Sequence, residues 1–137
     1  MAASDPRVQV PANSELELGI VCVDKREPGR TVWEMTAEER FANPAGSLQG
    51  GFLAALCDTA MGSATVTWAR GQERKVFSAN AEMKVSFLGG ARIGSRLTCT
   101  ATIVSGGRRV AFAEATVVDD DGRTVARASS TYILTER

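Results

Sequence analysis

"SLQGGFLAALCDTAMGSATVTWA", Ser47–Ala69, decides the architecture. From Gly50 to Ala69 the side chains are apolar or small, no proline interrupts them, and Asp58 is the single charge before Arg70. The run is too long for a strand and nearly apolar all round, which predicts a helix buried on most sides, with glycines at its start allowing close backbone approach. A helix with almost no polar face needs a sheet curled around it.

The flanking sequence supplies that sheet. In "SANAEMKVSFL", Ala79, Ala81, Met83, Val85 and Phe87 alternate with polar residues, a period of two that predicts a strand with those five on one face. "RLTCTATI" repeats the pattern with Leu97, Cys99, Ala101 and Ile103, and "GGRRVAFAEATVV" and "TVARASSTYIL" follow, joined by a turn at "DDDG". Asp119–Asp121 read as a solvated turn, since a metal loop needs more widely spaced ligands. Ahead of the helix, "LELGIVCV" from Leu16 and "TVWEM" read as a hairpin around the Pro28-Gly29 turn. Thr36 and Glu39 have capping-box spacing for one short helical turn before the Asn43-Pro44 break. All four prolines fall at or before Pro44, leaving the later strands free of a ladder breaker. The expected fold is α+β: a hairpin, one long central helix, then four antiparallel strands.

At 137 residues, one domain is expected, spanning 14–137 behind a loosely ordered lead-in over 1–13. Lysine plus arginine and aspartate plus glutamate stand at 16 each, so the charge balance points away from nucleic acid or an anionic membrane and towards a small partner. No apolar run is long enough for a membrane span and the N-terminus has no leader pattern, so a soluble, cytoplasmic protein is expected. The three cysteines, Cys22, Cys57 and Cys99, lie far apart in apolar or alternating contexts and read as buried thiols rather than a disulfide framework or metal site. Histidine is absent, which removes the commonest general base and zinc ligand together.

Helical spacing puts Gly51, Ala54, Ala55, Met61, Gly62 and Thr65 on the face of Asp58. A carboxylate on such a small-residue face either points to a solvated edge or serves as a base or nucleophile facing a cleft. In the second case the free N–H groups of Gly50 and Gly51, at the positive end of the helix, polarise a carbonyl oxygen. Those parts suit acyl transfer from an activated ester.

The order hairpin, "NPAGSLQGGFLAALCDTA", long helix and four strands resembles the hotdog-fold thioesterases of the phenylacetate-degradation (PaaI-like) type, over about Leu16 to Leu134. Asn43, Gly46, Gly50, Gly51 and Asp58 match that family's pattern in order and spacing. Gln49 stands where the family usually has histidine; it keeps a donor and an acceptor but cannot titrate. The resemblance implies hydrolysis of an acyl-coenzyme A thioester with no separate cofactor and no metal. It makes Asp58 the catalytic carboxylate, Gly51 the oxyanion donor, and Asn43 the residue orienting water or thioester, with Gln49 in a hydrogen-bonding role. It also implies a site between two subunits of a homodimer or of a tetramer of two dimers. Asn80 falls near a position that often carries a supporting hydroxyl, and Arg92, Arg96, Arg108 and Arg109, near strand ends, are candidates for the coenzyme A phosphates. A noncatalytic acyl-CoA binding module of the same fold is the alternative, kept open by Gln49. A hydratase of this fold would usually rely on a histidine that the chain does not contain.

Overall fold

The structure, a computed structural model, describes residues 8–137, so residues 1–7 of the expected lead-in lie outside the described residues. In chain order it contains α1 (Asn13–Leu18), β1 (Val21–Asp24), β2 (Arg30–Thr36), a single helical turn (Glu39–Phe41), α2 (Gly50–Arg70), β3 (Val76–Phe87), β4 (Arg96–Gly106), β5 (Val110–Val118) and β6 (Thr124–Glu136). The six strands form one sheet in the order β1-β2-β4-β5-β6-β3, antiparallel throughout. α2 carries the chain from β2 across the concave face to the opposite edge at β3, and its buried side, including Leu53, Leu56, Cys57, Ala60 and Ala64, packs into the sheet. Ala101, Ala111, Ala113, Ala115 and Ala128 line the facing strands, and these short side chains let the helix sit close.

The N-terminal hairpin begins later than its alternation implies. Leu16–Leu18 belong to α1, because Glu15 reaches back to the Ala12 N–H (3.3 Å) and Gly19, at φ +68°, ends the helix. Over so few residues the periods of two and 3.6 coincide, and the strand starts only at Val21. The Pro28-Gly29 turn forms as expected: Gly29 has φ +83° and the Arg30 N–H donates to the Glu27 carbonyl at 3.1 Å. The helical turn also forms, but Thr36 closes β2, and the residue preceding the turn is Glu38, with no side-chain cap.

β3 breaks its own alternation. Val76, Ser78 and Asn80 face inward, the pairing with β6 shifts between Asn80 and Glu82, and from there Met83 and Val85 are the inward residues. Ala79 and Ala81 therefore lie outside the face predicted for them, because the extra residue of a bulge reverses the side-chain direction of everything after it. Cys22 is exposed rather than buried, since β1 is an edge strand; Cys57 and Cys99 are buried. In the turn between β5 and β6, Asp119 is buried rather than solvated: its carboxylate accepts from the N–H groups of Asp121 and Arg123 and from the Arg123 guanidinium, which together hold it below the usual carboxylate range.

Candidate active site

Asp58 is exposed on the open side of α2. Met61 and Thr65, expected to share its face, are fully buried, and a Cβ at Gly62 would stand 3.6 Å from the Tyr132 ring. The open stripe runs instead through Gly51, Ala55, Asp58, Thr59, Ser63 and Val66.

One oxygen of Asp58 is held twice. Its Oδ1 accepts from the Tyr132 hydroxyl at 2.7 Å and from the Asn80 amide at 2.9 Å, while that same amide lies 3.1 Å from Ser130 Oγ. Asn80 reaches Asp58 because it stands on the inward side of β3 immediately before the bulge. Tyr132, paired opposite Asn80 on β6, is 1% exposed; burial first, and then its bond to Asp58, push its phenol well above the ordinary range, so it stays a neutral donor. No ion pair to Asp58 occurs among the described residues.

Asp58 also borders a cleft of about 470 Å³ that runs along α2 past Ser63 and Val66 to Arg70, with Trp33 on one wall and Asn80 and Tyr132 on the other. Among the described residues, two buried side-chain polar atoms lack a hydrogen-bond partner, Trp33 Nε1 and Asn80 Oδ1, and both belong to residues of this cleft. Leaving such groups unpaired costs about 1–3 kcal/mol each.

The N-terminus of α2 is a second centre. Gln49 precedes the helix with an exposed side chain that caps nothing, and the N–H groups of Gly50 and Gly51 have no acceptor among the described residues. A Cβ at Gly50 would meet the Phe87 ring at 3.0 Å, whereas one at Gly51 would meet nothing within 4 Å. Asn43 anchors the loop that leads here: its Oδ1 accepts from the N–H groups of Ala45 and Ser47, both at 3.0 Å, and Gly46 turns the chain at φ +84°. Only the NH2 group of Asn43 remains for a ligand.

The four candidate arginines are not brought together. Arg92 lies in the β3–β4 connection near the start of α2, with Ser47 bridging to it, and Arg96 opens β4 opposite Thr36. Arg92 pairs with Asp121 at 3.7 Å, and Arg96 is bonded to Glu34 and Thr36. Arg108 and Arg109 lie in the β4–β5 turn beside Gly106, which abuts Trp68 near the helix's other end. A helix of 21 residues is about 30 Å long, so one phosphate cannot meet both pairs within one subunit. The site residues missed in sequence were Tyr132 and Ser130; the available signal was that the chain's only tyrosine sits in a strand pattern and would need a polar partner if buried.

The thioesterase superfamily profile matches residues 45–126, and the chain belongs to that superfamily. It is a thioester hydrolase of the hotdog fold; in that fold the PaaI protein of E. coli superposes with a TM-score of 0.83 at 23% identity, covering 91% of this chain and 86% of that one. Zebra fish thioesterase superfamily member 2 superposes with a TM-score of 0.79 at 27% identity, covering 91% and 88%. Human acyl-coenzyme A thioesterase 13 is 27% identical over 123 residues, 89% of this chain and 85% of the human protein.

Proposed function

We propose that the protein hydrolyses acyl-coenzyme A thioesters to a free acid and coenzyme A, with Asp58 as the reacting carboxylate and the Gly51 N–H, supported by Gly50, polarising the thioester carbonyl. The observation that carries this reading is an exposed carboxylate with one oxygen fixed by two donors, on the same helix as two amides that have no acceptor among the described residues. The similarity to acyl-coenzyme A thioesterase 13 supports the choice of thioester.

As general base, Asp58 Oδ2 takes a proton from water while the water oxygen attacks the carbonyl carbon; the C–S bond breaks, and the thiolate leaves with a proton to become coenzyme A thiol. As nucleophile, the same oxygen attacks the carbonyl carbon, the C–S bond breaks and the thiolate leaves to be protonated by solvent, and water then cleaves the mixed anhydride to release the acid and restore the Asp58 carboxylate. Neither route needs a cofactor. Release of thiol from a panel of acyl-CoAs tests the reading. A chain that binds them but releases no thiol would be a binding module instead.

Within one subunit the two centres are too far apart. Asp58 lies two turns beyond Gly51, about 10 Å along the axis, which excludes direct attack by its carboxylate on a carbonyl held about 3 Å from that amide and leaves the general-base route only a fully extended line through one water. The reading therefore pairs Gly51 of one protomer with Asp58 of its partner, in a dimer or a pair of dimers, across the open small-residue stripe of α2. Light scattering should show no monomer at low micromolar concentration; an active monomer would remove the shared site.

Gln49 adjoins the amides with a carboxamide that caps none of them, and Gln49→Ala should lower turnover, by up to about a hundredfold if the side chain orients substrate. The melting temperature should barely move, because the side chain is exposed. Wild-type rates in this variant would make Gln49 a bystander.

A further inference from the structure

We propose that Tyr132 is a positioning residue for the hydrolysis: together with Asn80 it occupies Oδ1 of Asp58, so that Oδ2 is the oxygen presented to water or to the thioester. The proposal rests on the reading of Asp58 as the reacting carboxylate. Two donors, at 2.7 and 2.9 Å, converge on the same oxygen from adjacent strands, β6 and β3. The Tyr132 hydroxyl also lies 3.0 Å from the Asp58 backbone carbonyl, but its single proton serves the shorter, charge-assisted bond. The ring is buried, and a Cβ at Gly62 would touch it, so the hydroxyl is delivered by a packed side chain with little freedom.

No cation shares this task among the described residues. The charged groups that border the cleft are Glu15 of α1, Lys25 of the β1–β2 turn, Arg70 at the end of α2 and Arg137 at the C-terminus, and none of them forms an ion pair with Asp58. From β6, Ser130 lies behind the Asn80 amide at 3.1 Å. The neutral phenol and the amide are thus the groups that orient the carboxylate. Ionisation of Tyr132 would place a second negative charge against Asp58 and destroy the arrangement. Burial and the carboxylate itself raise the phenol against that loss.

Tyr132→Phe deletes one oxygen and keeps the ring. In the full-length chain it should lower kcat ten- to a hundredfold with KM within about threefold of wild type. Added to Asp58→Asn, the same change should cost nothing further. As Tyr132 is the only tyrosine, the ultraviolet absorbance of tyrosinate reports on it directly: ionisation should require strongly alkaline pH in wild type and a lower pH in Asp58→Asn. An inactive Asp58→Asn beside a Tyr132→Phe with wild-type kcat overturns the role of Tyr132 alone. A fully active Asp58→Asn, or a wild-type chain that hydrolyses no acyl-CoA, overturns the underlying reading as well. Should Tyr132→Phe fail to fold, Asn80→Ala removes the other donor and must lower kcat with KM little changed; if kcat stays at the wild-type value, the proposal falls.

Discussion

Asp58→Asn should reduce kcat for the best acyl-CoA substrate by roughly 10²–10⁴, the range for loss of a positioned acid–base group or nucleophile. The substitution is nearly isosteric. Its carbonyl oxygen can still accept from Tyr132 and Asn80, so the geometry around Oδ1 survives while the oxygen that would attack, or take the proton of water, becomes an NH2 group. Asp58 is exposed, so the melting temperature should change little. Thiol release measured beside a thermal melt separates the outcomes: near wild-type turnover would remove Asp58 from the chemistry, and an unfolded variant would make it a structural residue.

Gly51→Pro should cost about 10²–10³ in kcat, the loss typical of removing one oxyanion donor. Proline deletes the N–H, and the first turn of a helix tolerates it because that amide has no intrahelical partner. The site is permissive as well: nothing lies within 4 Å of a Cβ at Gly51, and Gly50 before it has no Cβ to collide with the proline ring. Gly51→Ala keeps the N–H and is the control, expected within about tenfold of wild type. If proline and alanine variants turn over alike, the carbonyl is polarised elsewhere, and the N-terminus of α2 serves only to start the helix.

Both predictions concern residues recognisable in the linear chain, whereas the partners that make Asp58 usable were not. Gly50, Gly51 and Asp58 stood out because a helix start and a lone charge in an apolar run are local features, and the run itself was enough for α2 to be expected over nearly its observed span. The last four strands were legible for the same reason, since each carries its own alternation. Elements whose type depends on a few residues were not: at Leu16–Leu18 the two periods agree over so short a stretch that a helix was read as the start of a strand.

The bulge in β3 marks the boundary between what local pattern determines and what only the tertiary structure decides. Alternation put Asn80 opposite the face of Ala79 and Met83, yet one extra residue before Glu82 turns Asn80 inward beside Met83 and onto Asp58. Where a bulge falls depends on pairing with β6, far along the chain, and no property of residues 78–88 alone specifies it. The arginines follow the same logic: proximity in sequence to strand ends did not reveal that the two pairs sit at opposite ends of a helix about 30 Å long. Local sequence was enough for the central helix, the later strands, the glycine amides and the isolated carboxylate, and with them for the two-turn gap between Gly51 and Asp58, because each is set by neighbours within a few residues. Tyr132 on Asp58 and Asn80 beside it came from the folding of the sheet around the helix, since strand register fixes which distant side chains meet.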